Sequence, residues 1–428
     1  MRRVLVASVL GSLLGLGLGS PAHAADLAPV PSDFHWGVAT SGYQSEGDAP
    51  PSNWSAYDDA KEPYLNSVDF RHRYAEDIAN AASLGVDTFR FGIEWARVEP
   101  QPGVFDAGEL AYYDDVIAEI RSHGMKPMIT LSHWVHPQWF VDQGAWGDTH
   151  AVDRFVDYAT RIIDRYAGDD VSWITFNEPF IYLQHELTET RGAPALLSTL
   201  ALPAKLVKAH NLVYDVIHDR DPDALVSSNV AYIPGVEPVL DAVFLKKMKT
   251  DFLGIDYYYG AAVDNPTAVN AFTGEFWKIK YAPEGLYYAL KLYAKRFPGK
   301  PIWIIENGMA TDDGKPRPDG YTRSQHLRDH IYWMQRAMAD GVPVIGYNYW
   351  SITDNYEWGS YRPRFGLWTV DAATDPTLSR TPTDGVATYT DVIADGGVAS
   401  DYEPVLKPGL CNIDDLVTSC LKRVLGLS

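Results

Sequence analysis

The stretch Ser172-Trp173-Ile174-Thr175-Phe176-Asn177-Glu178-Pro179 reads as a buried β-strand with its end in view. Trp173, Ile174, Thr175 and Phe176 are aromatic or β-branched and suit a pleated, packed segment. Asn177 and Glu178 bring polarity where the apolar run stops, and Pro179 cannot continue a ladder. Helical periodicity flanks the stretch, over 152–166 before it and 204–219 after it. The same unit recurs along the chain. Further β-rich runs lie at 34–40, 88–95, 126–133, 225–232, 252–259, 301–306 and 345–351, and further helical patterns at 68–84, 112–123, 283–296 and 323–340. Gly85, Gly124 and Gly341 stand as helix stops. Strands alternating with helices imply parallel pairing, and eight such strands predict an α/β chain folded as a single (β/α)8 TIM barrel.

A barrel of this kind gathers its functional groups at the C-terminal ends of its strands. Read in order, those ends carry Gln44 just past the first, then Arg90 and Glu94, His133, Asn177 with Glu178, Asn229, Tyr257 with Tyr258, Glu306, and Trp350. Nearly all are polar or aromatic. A doubly wound open sheet is the alternative, but it concentrates ligand groups near one switch point. No glycine-rich dinucleotide fingerprint follows a predicted strand, and no cofactor is expected.

Composition narrows the partners. The 428 residues carry 36 basic and 56 acidic side chains, a formal charge of -20, and no basic cluster reverses that sign locally. Such a chain repels phosphate backbones, so nucleic acid is excluded as an expected partner. With 46% apolar and 21% charged residues it can bury a large core, unlike a disordered chain.

Residues 1–24 combine Arg2 and Arg3, an uncharged apolar run and the small-residue sequence Ala22-His23-Ala24, which predicts a secretory signal cleaved after Ala24. The apolar run is short for a bilayer span, and no later segment is apolar enough to form a stable one. The arginine pair fits a twin-arginine or an ordinary export signal. The barrel is then expected over 25–397, followed by a tail at 398–428 that packs on it. That tail holds Cys411 and Cys420, the only cysteines, and in an exported chain they are expected to pair as a disulfide.

Glu178 and Glu306, the latter in Ile304-Ile305-Glu306-Asn307-Gly308, each end an apolar strand. An isolated glutamate is usually a solvated charge. These two are placed where a barrel would bury them near other polar groups. Paired carboxyls with aromatic walls are what glycoside chemistry requires: one protonates a poor leaving group, and the other stabilises an oxocarbenium-like transition state. His133 and His136 form an H-x-x-H, but on an irregular segment past a strand that spacing does not put both rings on one face, and no metal is expected.

Over residues 34–393 the chain resembles glycoside hydrolase family 1, the β-glucosidase family. The resemblance rests on the run FHWGVATSGYQSEG at 34–47, Phe89-Arg90-Phe91-Gly92-Ile93-Glu94-Trp95-Ala96-Arg97, Thr130-Leu131-Ser132-His133-Trp134, the TFNEP and IENG motifs around Glu178 and Glu306, and WSITDNYEW at 350–358. It implies a retaining exo-β-glycosidase, with Glu178 as acid/base, Glu306 as nucleophile, and Arg90, Tyr258 and Asn177 supporting them. It also implies a first sugar subsite lined by Gln44, His133, Trp134, Trp350, Glu357 and Trp358. Glu357 would repel a 6-phosphate, so the expected partner is an unphosphorylated β-glycoside, free or in a glycoconjugate with an apolar aglycone. Transfer to an acceptor alcohol uses the same intermediate, and a non-catalytic sugar-binding barrel is the reading from another class. The chain departs from the family pattern in three ways. Asp256 stands where the family usually has Asn, Ile305 replaces the usual Thr, and the segments after Glu46 and Phe180 are short, which leaves the leaving-group side open.

Overall fold

The computed structural model describes residues 27–56, 62–168, 170–188, 196–260 and 274–409, together with 262, 265, 267, 270 and 271. Eight parallel strands close into a barrel in chain order: β1 His35–Ala39, β2 Thr88–Gly92, β3 Lys126–Thr130, β4 Ser172–Asn177, β5 Leu225–Ala231, β6 Leu253–Asp256, β7 Ile302–Asn307 and β8 Val344–Trp350. β8 pairs with both β7 and β1, which completes the ring and excludes the open sheet. The main surrounding helices are α1 Phe70–Ser83, α2 Ala107–Ser122, α3 Ala151–Tyr166, α4 Pro179–Thr188, α5 Leu196–Arg220, α6 Glu284–Arg296, α7 Arg323–Ala339 and α8 Asp384–Asp395.

Sequence periodicity explains the two cores. Strand residues that face outward meet the apolar stripes of the helices, such as Phe155, Tyr158 and Ile162 of α3 and Leu327, Ile331 and Met334 of α7. The barrel interior is closed by Met128, Ile174, Phe252, Trp303 and Ile305. Gly346 makes room for that plug, because a Cβ there would lie 2.5 Å from the Trp303 indole. Burying these large side chains contributes roughly 1.5–3 kcal/mol each by area, so the floor beneath the mouth is tightly filled.

Local signals set the helix ends. α2 begins earlier than its periodicity suggests because the Asp106 carboxylate accepts from the N–H groups of Gly108 and Glu109. At α7, Thr322 and Gln325 form a reciprocal capping box. α8 was not anticipated; it packs Tyr389 against the barrel and donates that hydroxyl to the Gly37 carbonyl at 2.7 Å. Beyond it, Tyr402 and the N–H groups of Val405 and Leu406 bond the Asp329 carboxylate of α7, so residues 402–406 lie on the helical layer. The proposed signal sequence and both cysteines lie outside the described residues. Among the described residues, no helix is long and apolar enough to cross a membrane.

The strand tops depart from strict pairing where they carry polar groups. Register shifts occur between Ile174 and Asn177 on β4, between Ile255 and Asp256 on β6, and between Ile304 and Asn307 on β7. Beyond them Asn177 pairs with Asn229, and Asp256 with Glu306. Strict alternation after the inward Ile305 would turn Glu306 outward. Irregular pairing is the usual device for re-aiming a side chain at such a rim.

Candidate active site

Arg90, wholly buried on β2, is the hub of the mouth. Its Nε donates to Thr130 Oγ1 at 3.0 Å, its Nη2 to Asn177 Oδ1 at 2.7 Å, and its Nη1 to Glu306 Oε1. The other Glu306 oxygen accepts the Tyr258 hydroxyl at 2.7 Å. Burial and the Glu306 charge push the Tyr258 phenol well up, so it remains a donor. Both oxygens of Glu306 are thus met by donors suited to an anion. Gly308 lets the β7 end approach the end of β8, since a Cβ there would sit 1.9 Å from the Trp350 carbonyl.

Glu178 has a different setting. It directly follows β4 at φ 40, and its N–H bonds the Asn229 carbonyl at 3.1 Å. Pro179 then opens α4. A positive φ at a glutamate is strained by the order of 1–3 kcal/mol, a cost that folded surroundings must hold in place. The carboxyl is buried, and its pKa is raised to about 8, first by desolvation and then by the charge of Glu306. The approach of the Asp256 carboxyl and the charge of Arg90 oppose that rise.

Oxygen atoms of Glu178, Asp256 and Glu306 lie within 4.8 Å of one another. Asp256 therefore points inward, toward the two glutamates. Such a trio can ligate a hard cation; here Arg90 and Tyr258 already meet both oxygens of Glu306, and Asn229 meets one oxygen of Asp256.

The remaining sugar-site candidates form the wall. Gln44 Nε2 donates to Glu357 Oε2 at 3.1 Å. Burial, and after it the Glu306 charge, raises the Glu357 pKa to about 8. Asn177 Nδ2 lies 3.2 Å from His133 Nε2, and burial followed by the Arg90 charge drives the His133 pKa well down. Trp134 donates its indole N–H to the Asn177 carbonyl at 2.9 Å, and its ring centroid is 4.9 Å from that of Trp358. His133 stacks beside Trp350 at 5.8 Å. His136 turns away to the Tyr182 hydroxyl at 2.8 Å, so the two histidines of the H-x-x-H engage different groups.

All eleven predicted non-cysteine site residues are described in or around the mouth. Sequence reasoning missed Thr130 as the prop of Arg90 and gave Asn229, read as a strand-end residue, no role; its Nδ2 bonds both Asn177 Oδ1 at 2.6 Å and Asp256 Oδ2. Asn229 had a signal, its place at the end of a strand. Trp54 was also missed; it joins Trp134 and Trp358 at centroid distances of 6.4 and 5.9 Å, and nothing in the local sequence brings these three together.

Buried carboxyls at the C-terminal mouth of a (β/α)8 barrel, beside a wall of indoles, define a barrel enzyme of the glycoside-processing class. Comparison with known proteins agrees: the chain belongs to glycosyl hydrolase family 1, whose sequence profile matches residues 27–243 and 238–398. It is 30% identical over 403 residues to the chloroplastic galactolipid galactosyltransferase SFR2 of Arabidopsis thaliana, covering 83% of this chain and 62% of that relative's length. It is 28% identical over 443 residues to beta-glucosidase A of Thermotoga maritima, covering 86% of this chain and 98% of the relative. The structure of a family 1 β-glucosidase from Thermotoga maritima superposes with a TM-score of 0.75 at 26% identity, covering 86% of this chain and 99% of the other. A complex of the Thermotoga maritima β-glucosidase with deoxynojirimycin superposes at 0.74.

Proposed function

We propose that the protein is a retaining exo-β-glycosidase that hydrolyses the bond to an unphosphorylated terminal sugar, with Glu306 as nucleophile and Glu178 as acid/base. The observation that carries this reading is the close approach of the two carboxyls, one oxygen of each lying within 4.8 Å of the other, in different electrostatic settings. Retaining sites hold their carboxyls about 5–5.5 Å apart, whereas inverting sites leave room for a water at about 6.5–9.5 Å. In the first step a Glu306 oxygen attacks the anomeric carbon while the Glu178 proton passes to the departing oxygen. Ester formation removes the Glu306 charge and with it one cause of the raised Glu178 pKa. Glu178 then accepts a proton from water, whose oxygen displaces Glu306.

Gln44 and Glu357 are placed to fork between sugar hydroxyls, Asn177 and His133 to bond others, and the indoles to pack on ring carbons. Glu357 beside Glu306 disfavours a phosphorylated sugar. Proton NMR of products released from aryl β-D-glycosides tests the reading. The β-anomer should form first; an initial α-anomer would refute retention, and sugar binding without turnover across several glycosides would favour the non-catalytic alternative.

A second reading, transfer to an acceptor alcohol, is supported by the galactosyltransferase among the relatives. Free sugar falling below released aglycone as acceptor is added would favour it. Export is proposed from the N-terminal sequence alone, and N-terminal sequencing of the secreted protein should begin after Ala24. Thiol titration of the denatured, unreduced protein should find no free Cys411 or Cys420.

A further inference from the structure

Asp256 is a third carboxyl in the catalytic group, and the two-carboxyl mechanism does not use it. It ends β6 and is buried. Its Oδ2 accepts from Asn229 Nδ2, whereas Oδ1 meets no conventional donor. Charged or titratable groups approach it from around the barrel: Arg90 from β2, Glu178 after β4, Glu306 from β7, Tyr258 after β6, and Tyr293 from α6, with Glu357 beyond Glu178. An ionised Asp256 would place a second anion against Glu306 and leave Oδ1 desolvated without a donor. A protonated Asp256 turns that oxygen into an O–H donor beside a ready acceptor.

We propose that Asp256 is held as a carboxylic acid and donates its O–H to Glu178, making it a positioning residue for the acid/base. This rests on the proposed role of Glu178. The direction agrees with burial, then the charges of Glu306 and Glu178, all of which hold the Asp256 pKa well up. The step balances with Asp256 as a spectator. The Glu178 proton goes to the leaving oxygen, the new Glu178 carboxylate accepts the Asp256 O–H, and water returns a proton to Glu178 while Asp256 keeps its own. The benefit falls in the half-cycle when Glu178 is an anion, because a donor to the charged form lowers its pKa. A carboxylic acid kept neutral by its site so that it can donate is known chemistry in enzymes.

The test is the pH dependence of kcat/KM on an aryl β-glycoside, whose alkaline limb reports the essential acid of the free enzyme. Asp256→Asn keeps a donor of the same shape and removes no charge, so the limb should stay within about half a unit of its original place. Asp256→Leu removes the donor and should raise the limb by about one unit. A fall of about one unit or more in Asp256→Asn would mean that the aspartate is an anion, and an unmoved limb in Asp256→Leu would mean that it gives Glu178 no bond. Either result overturns the proposal. Should Asp256→Leu fail to fold, infrared spectra of Glu178→Gln at about pH 6, where ordinary carboxyls are ionised, carry the same test. A protonated-carboxyl band that disappears on further change of Asp256 to Asn is expected, and no such band refutes the proposal. Glu178→Ala with azide separates this from the parent reading: β-glycosyl azide formation supports Glu178 as acid/base whatever Asp256 does, and its absence undermines that role directly.

Discussion

The ends of β4 and β7 each offer a glutamate to the same cavity, and the two are built in opposite ways. Glu306 lies within its strand and is met by Arg90 and Tyr258, one donor to each oxygen. Glu178 lies just past its strand in a left-handed turn, with a buried carboxyl whose pKa is pushed up to about 8. The same side chain is thus set among donors suited to an anion in one place and in a desolvated setting that favours the acid form in the other. The lesson is that role follows from what surrounds a carboxyl, which on this barrel means which neighbouring strand supplies its partners.

The sharpest way to break this comparison is to remove the anion. Glu306→Gly should lower kcat on aryl β-glycosides by roughly 10⁴–10⁶-fold, the scale of losing a covalent nucleophile, and azide should restore turnover with an α-glycosyl azide as product. Removing the acid should cost less and depend on the substrate. Glu178→Ala should lose about 10²–10⁴-fold on poor leaving groups, yet form the glycosyl-enzyme readily from dinitrophenyl glycosides, as burst kinetics would reveal. The pH profile sharpens the same contrast. Because Glu178 must be protonated to donate and its pKa is raised to about 8, kcat/KM should fall as pH rises through about 8, and that limb should vanish in Glu178→Ala with dinitrophenyl substrates.

Tyr258→Phe keeps the ring and deletes one bond to the Glu306 carboxylate. A hydrogen bond to a charged group contributes about 1.5–3 kcal/mol, so steady-state kinetics should show roughly a 10–100-fold loss, mainly in kcat. The smallest effect is expected at the rim. Trp358→Ala removes an indole from the wall and should raise KM by about tenfold or less, with kcat little changed; a collapse of kcat would place the indole in the chemistry instead.

How much of this was readable beforehand differs between the floor and the rim. The eight strands and both glutamates could be read because each strand is a short apolar run whose polar end falls where a barrel opens. Asp256 was visible as an acid but not as an inward one. Its direction depends on a register shift at the β6–β7 pairing, which no pattern of period two reveals. Thr130 was unremarked because a threonine inside a β-rich run is ordinary, and only the fold brings it under Arg90. Trp54 reaches the wall through a loop whose path periodicity does not specify.

Trapping the intermediate tests the central claim most directly. The protein would be incubated with a 2-deoxy-2-fluoro-β-glycoside bearing a good leaving group, and the digest read by tandem mass spectrometry. One fluorosugar per chain, ester-linked at Glu306, is the predicted result. A label on Glu178 or Asp256, or turnover of the matched glycoside with no covalent label under any condition, would contradict the assignment of an anion to the end of β7 and an acid to the end of β4.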